Sequence, residues 1–187
     1  MDFRTSPKRP ASPFAVGMLM IAAISSSWLQ ALAADPVPNP LDNIPEKMPF
    51  DIPYGAPISL ERADAAIAAA EAEARKRGWK FNIAVVDSGA NLVAFQRMDG
   101  AQLASIAISE HKARAAAQFR RETKAYENAV QLNGQPYVST LDGVITARGG
   151  IPLIEDGRII GAIGCSGGTG AQDEVVCKAG AAAVTGH

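Results

Sequence analysis

Apolar and polar positions alternate along this chain in two rhythms. Over residues 59–78, Leu60, Ala63, Ile67, Ala70 and Ala74 recur at steps of three and four, the spacing of one helix face. Ser59 stands where an N-cap belongs, Glu61 falls in the first turn, and Gly78 can close the helix. Two short β-rich runs follow, 81–86 and 92–98. Between them Asp87-Ser88-Gly89-Ala90-Asn91 forms a turn cluster of hairpin length, which implies antiparallel pairing. The helical rhythm returns over 103–119 and again over 122–132, ending at Asn133-Gly134. Residues 143–147 form a weak strand candidate. Runs 151–154 and 158–165 flank Glu155-Asp156-Gly157, a strong hairpin signal because Asp-Gly suits positive φ. An alanine-rich helix over 173–184 closes the chain. The order helix, hairpin, helices, hairpin, helix lacks βαβ alternation and predicts an α+β fold, an antiparallel sheet with helices packed on it.

Two segments precede this pattern. In residues 1–33, Arg4, Lys8 and Arg9 precede an apolar run over 14–24 and the small-x-small site Ala31-Leu32-Ala33, the organisation of a signal peptide. The run is shorter than the roughly 20 residues a membrane span needs, so the expectation is cleavage, no transmembrane anchor afterwards, and a periplasmic or secreted product. Residues 34–57 form a Pro-rich extended arm, with prolines at 36, 38, 40, 45, 49, 53 and 57. It is either a bare tether or a strap. Leu41, Ile44, Met48, Phe50, Ile52 and Tyr54 favour the strap. The folded domain is then expected over 58–187.

Composition narrows the function. With 187 residues, 48% hydrophobic, 20% charged and a net charge of -1, the chain suits one globular domain and carries no basic field for nucleic acid. No Walker motif, dinucleotide fingerprint, CxxC or HExxH occurs. Gly164-Cys165-Ser166-Gly167-Gly168 formally matches a nucleophile elbow, but the following helix starts late and His187 is the only His beyond it, so a serine hydrolase is rejected. Glu71 and Glu73 do not share a helix face and read as solvated charges. No acid/base pair can be assembled, which ranks binding above catalysis.

A resemblance is carried by Ala84-Val85-Val86-Asp87, Gly89, Arg97-Met98-Asp99-Gly100 and Lys112-Ala113. It continues through Gly149-Gly150-Ile151-Pro152-Leu153, Gly157, Gly161-Ala162-Ile163-Gly164, Ser166-Gly167 and Asp173-Glu174. In their order and spacing these residues resemble the GlcG/HbpS family from about residue 58 to 184. The resemblance implies a profilin-like α/β/α domain, often a homo-oligomer, in a family associated with haem binding and, for some exported members, haem degradation. That family also resembles the C-terminal domain of PduO-type cobalamin adenosyltransferases. The chain departs from it at Ala115, where a hydroxyl is common, at Cys165 and Cys177, and in a first helix without His.

With haem as the implied cofactor, His111 is the candidate iron ligand. It falls on the line Ala104, Ile108, His111, Ala115, Phe119, read as an apolar stripe of the second helix; a hydrogen-bonded buried or interface His is the competing reading. Met98 and Tyr126 are further donors, each equally explained by packing. Arg97 and Asp99 could orient a ligand, Asp99 alternatively capping the helix. Ser166, Gly167 and Gly168 offer backbone N–H groups to a carboxylate such as a propionate, or simply make a tight turn. Asp173 and Glu174 read as first-turn acids. Cys165 and Cys177, the only cysteines, are expected to pair in an oxidising compartment, with two buried free thiols as the alternative. The function expected is an exported, oligomeric binding domain for haem or a related planar tetrapyrrole. The alternative is a metal-free small-molecule or accessory module of an exported oxidoreductase system.

Overall fold

In a computed structural model, residue 39 and residues 42–185 are described; the expected signal peptide, the first part of the arm and His187 lie outside them. The chain divides at Glu46 into two units. In the first, a turn is closed by the Asp42 N–H donating to Asn39 O at 2.9 Å. The second, from Lys47 onward, holds the sheet and its helices.

Helix α1, Leu60–Lys76, starts at Ser59, whose hydroxyl accepts from Arg62 N–H, and buries Ala63, Ala66, Ile67, Ala70 and Ala74. Strands β1 (Asn82–Asp87) and β2 (Leu92–Arg97) pair antiparallel. Their turn is organised by Asp87 Oδ1, which accepts from the N–H groups of Gly89 and Asn91 at 2.8 and 2.9 Å. Helix α2 is Ala104–Gln118 and helix α3 Lys124–Gln131. After a 3-10 turn at Pro136–Thr140 come β3 (Gly150–Glu155), β4 (Arg158–Ser166) and helix α4 (Gly170–Ala182). The β3–β4 turn has Asp156 and Gly157 both at positive φ, 47° and 70°, as the Asp-Gly pair predicts.

The sheet order is β2-β1-β4-β3 with every pair antiparallel, and helices lie on it, so the fold is α+β. Alternation along the strands sends Ile83, Val85, Ile163 and Cys165 to one face with α1 and α4, and Ala84, Val86 and Ala162 to the other with α2. The second face is made of small residues, which lets α2 approach closely. A Cβ at Gly164 would collide with Ser109 O and Ala113 N of α2.

Three expectations are corrected. Residues 143–147 form no strand: Val144 packs with Tyr126 and Val138 beyond the 3-10 turn, and Gly143 lies at φ 78°. Helix α4 begins at Gly170 rather than 173, because Thr169 and Gln172 form a capping box. The buried residues of α2 are Ser105, Ser109, Lys112, Ala113, Ala115, Ala116 and Ala117, so of the predicted line only Ala115 is buried, and His111 is exposed. Apolar periodicity misplaced the buried face because two of its residues are serines and one a lysine.

The later arm lies along the domain. Beyond the end of β1, Tyr54 forms a parallel bridge with Ile159, and Gly55 N–H donates to Ile159 O at 2.8 Å. The Tyr54 hydroxyl donates to Gln118 O at 2.8 Å, tying the arm to the end of α2. Among the described residues no helix is long and apolar enough to cross a membrane.

Candidate functional site

At one end of the sheet, the turn from α1 into β1, the exit of β2 and the turn before α4 converge. Two adjoining clefts open there. One, of about 290 Å³, is lined by Arg75, Gly78, Trp79, Lys80, Met98 and Asp99. The other, of about 340 Å³, shares Gly78, Trp79 and Lys80 and adds Phe81, Gly100, Gln102, Gly167, Gly168 and Gln172. Trp79 is held between the Arg77 guanidinium, 5.1 Å from its ring centroid, and Phe81, whose ring centroid is 6.3 Å away. Met98 is nearly buried, 6% exposed, and its N–H donates to Phe81 O at 3.0 Å, which fixes the β2 exit against the turn.

Beneath the second cleft runs a buried polar network. Ser166 Oγ donates to Ser105 Oγ at 3.0 Å, Gln102 Nε2 to Ser105 Oγ at 2.6 Å, and Asn82 Nδ2 to Gln102 O at 3.0 Å. Asn82 Oδ1 is buried without a partner among the described residues. Such an acceptor forfeits its hydration with nothing in return, so a donor supplied from the cleft would be welcomed.

The sequence candidates therefore separate. Met98, Asp99, Gly167 and Gly168 come together at the clefts, and Ser166 sits beneath them. Arg97 is exposed and lines neither, and Asp99 does not cap α2, whose N-cap is Leu103. The N–H groups of Gly167 and Gly168 are occupied: both donate to Asp173 Oδ1, at 3.1 and 3.0 Å. His111 is exposed on α2, with Nε2 3.1 Å from Gly143 O. A carbonyl can only accept, so Nε2 carries the proton in the neutral ring and Nδ1 keeps the lone pair.

Asp173 is not a surface acid. Its Oδ2 meets Lys112 Nζ at 2.5 Å, and Lys112, 1% exposed, also donates to Cys165 O at 3.2 Å. Next to this pair a disulfide joins Cys165 at the end of β4 to Cys177 on α4, with Cα atoms 5.5 Å apart. Glu174, also buried, gathers cations instead: Lys178 Nζ at 2.5 Å, Lys124 Nζ at 3.0 Å and Arg148 Nη1 at 3.3 Å. Burial alone would raise the Glu174 pKa, but hydrogen bonds from Lys178 and Lys124 hold it below the usual carboxylate value. Arg148 also grips Glu127, donating from Nε to Oε1 at 2.7 Å and from its backbone N–H to Oε2 at 2.9 Å, which lowers the Glu127 pKa.

This ionic cluster sets the Arg148-Gly149-Gly150 turn. At Gly150 a Cβ would collide with Lys112 O, and at Gly149, φ 112°, it would lie 2.7 Å from Asp173 Cβ. The paired glycines thus let β3 start directly against the Lys112–Asp173 junction.

The model of the family described as haem degrading protein HbpS-like matches residues 58–182. The chain belongs to this family. Protein GlcG of Escherichia coli K12 is 47% identical over 109 residues, 58% of this chain and 81% of GlcG. An HbpS double mutant from Streptomyces reticuli superposes with a TM-score of 0.65 at 29% identity, covering 81% of this chain and all of that one (100%). A PduOC:heme complex superposes with a TM-score of 0.63 at 26% identity, covering 69% of this chain and 96% of the other.

Within this HbpS-like domain, residue-type reasoning passed over Trp79, Lys80, Arg75 and Gln102, which line the clefts, and the Lys112–Asp173 pair. A Trp-Lys pair directly after the helix-closing Gly78 was the available signal for the first of these. For Lys112 and Asp173 there was none beyond their place among the residues that carry the resemblance, since a pair 61 positions apart meets only through the fold.

Proposed function

We propose that this protein is an exported binding domain for haem or a closely related tetrapyrrole, acting as a homo-oligomer. The observation that carries the reading is the donor set of the paired clefts in a chain of the HbpS-like family: a Trp79 ring, the Met98 thioether and the cations Arg75 and Lys80. The residues fit the group. A thioether is a known haem-iron ligand, an aromatic plane packs against a macrocycle, and Arg and Lys pair with propionates. The PduOC:heme complex shares this fold, which supports the same ligand class.

Haem, once bound, supplies its own iron redox chemistry, and degradation needs no catalytic triad. The chain's part is to hold and orient the group. Trp79 and Phe81 would exclude water from one side, Lys80 would neutralise a carboxylate beside an Arg75 that is already paired with Glu71 at 2.6 Å, and Gln102 would offer its amide above the Asn82 network. Two side chains are candidate iron ligands at different places, Met98 in the cleft and His111 outside both clefts on the exposed side of α2. His111 has the arrangement typical of a metal-bound imidazole, one ring nitrogen on a backbone carbonyl and the other with a free lone pair.

Hemin titration of the full chain, followed at the Soret band, tests the reading. Saturable binding with a shifted band is expected; absence of saturation overturns it. Met98→Ala and His111→Ala then assign the ligand, because only loss of the iron-bound atom moves the Soret maximum. Cell fractionation tests export, and light scattering with and without hemin tests the assembly.

A further inference from the structure

Away from the Trp79 clefts, the arm, the end of α2, α3 and the 3-10 turn enclose another cleft, of about 410 Å³. This volume lies in the range of small-molecule sites, roughly 300 to 1,000 Å³. Its walls are mainly aromatic and apolar, with Phe50, Phe119, Tyr137 and Val138 among them, and Phe50 and Tyr137 are left substantially exposed. Two polar groups in it are only partly satisfied, or not satisfied at all, among the described residues.

Arg121 is the first. Its guanidinium carbon lies 3.3 Å from the Phe50 ring centroid and 5.2 Å from that of Tyr126, so two aromatic rings pack against it. Nε donates to Phe119 O at 3.1 Å, and among the described residues no carboxylate pairs with the remaining N–H groups. Burial lowers its pKa, the mark of a cation short of a counter-charge. The second is the Tyr126 hydroxyl. Tyr126 is 5% exposed, its ring meets Phe119 edge-on, and its hydroxyl is one of two buried side-chain polar atoms without a partner among the described residues. Burial pushes its pKa up to about 12, so it remains a neutral donor.

Phe50 adds an independent observation. It sits at φ 63°, the left-handed region that a bulky residue rarely adopts, and this backbone delivers its ring onto Arg121. The arm thus spends conformational strain to sheath a guanidinium that has no internal acid.

We infer that this cleft binds a small aromatic carboxylate, its carboxylate on the free edge of Arg121, its ring against Phe119 and Tyr137, and a ring oxygen within the Tyr126 side of the cleft. Among the described residues the N–H groups of Arg121 other than Nε meet no carboxylate, and their fixed planar fork suits a carboxylate over a spherical anion. The aromatic walls favour an arene over an aliphatic acid. The unpartnered phenol is shielded behind these walls, and a ring that carries an oxygen substituent gives it an acceptor once the Tyr126 side chain turns toward the cleft.

The test uses the full chain with 4-hydroxybenzoate and benzoate, by calorimetry and by protein-observed NMR. Saturable binding of 4-hydroxybenzoate is expected, with resonances around Tyr126 and Arg121 moving. Arg121→Met should weaken both acids at least about 10-fold, the loss of a charge-assisted pair. Tyr126→Phe should weaken 4-hydroxybenzoate by about 5-fold and leave benzoate unchanged, a selectivity that a merely structural effect would not give. Absence of saturable binding to the wild type, or equal binding by Arg121→Met, overturns the inference. So does failure to bind combined with a smaller assembly of Arg121→Met in light scattering, which would make this cleft a subunit contact. Hemin affinity of the same variants is expected to stay at the wild-type value, so this inference and the haem reading fail separately.

Discussion

Two buried polar groups of this domain have opposite fates. Lys112 and Asp173 are almost wholly enclosed, yet both are met within the fold: by each other, by Cys165 O for Lys112, and by the N–H groups of Gly167 and Gly168 for Asp173. Tyr126 is nearly as enclosed, and its hydroxyl has nothing. The difference separates structure from function. A buried charge pair with partners inside the fold specifies where three elements meet, whereas an orphaned donor beside an open cleft is a cost that the fold alone does not explain.

The comparison can be broken most forcefully at Lys112. Lys112→Ala leaves Asp173 buried with its charge uncompensated, and should cost about 3 to 5 kcal/mol, read as a large drop in denaturation midpoint. Asp173→Leu combined with Lys112→Met should not recover this loss, because Asp173 also holds Gly167 and Gly168; full recovery would show that the junction is an isolated ion pair.

Reduction of the Cys165–Cys177 disulfide, whose partners are 12 residues apart, should come next at about 3 kcal/mol in the chain-entropy model. Intact-mass analysis before and after reduction, with alkylation, establishes the bond. Chemical denaturation of both forms then gives the magnitude.

A smaller effect is expected at Glu127. Its folded-state pKa is depressed, first by hydrogen bonds from Arg148, so its stabilising contribution is present above the unfolded value of 4.5 and is lost as pH falls through the folded value. The melting temperature of Glu127→Gln should therefore lie below wild type near neutrality and converge with it as pH falls through the depressed folded-state value. A gap that persists in acid would place the effect in packing.

The smallest change is expected at Tyr126. Because its hydroxyl makes no bond, Tyr126→Phe should leave stability within about 0.5 kcal/mol of wild type or raise it, in contrast to Lys112→Ala. A loss above about 1 kcal/mol would mean that the hydroxyl is satisfied in solution, and would remove the contrast.

Much of the fold was legible because the local signals agreed. Ser59 before a three-and-four repeat, the Asp87–Asn91 turn and the Asp156-Gly157 hairpin each specify a local geometry that the sheet then uses without conflict. Candidate chemistry was less legible. Met98 and Asp99 could be picked out as candidates, since they leave a strand inside a motif that carries the resemblance. His111 is exposed although it shares a helical line with the buried Ala115, because periodicity counts apolar residues and the buried face of α2 also takes in Ser105, Ser109 and Lys112. The turn N–H groups at Gly167 and Gly168 were legible as an anion site, but not that the chain fills it with its own Asp173.

By itself, then, the sequence determined the elements, the hairpin turns and the family, because each rests on residues within a few positions of one another or on a linear order of motifs. Only the tertiary structure decided which polar groups are consumed and which remain available. Lys112 with Asp173, Arg121 with Phe50 and Trp79 with Met98 are distant in the chain, and hydrogen-bond satisfaction is a property of the space around an atom rather than of its neighbours in sequence.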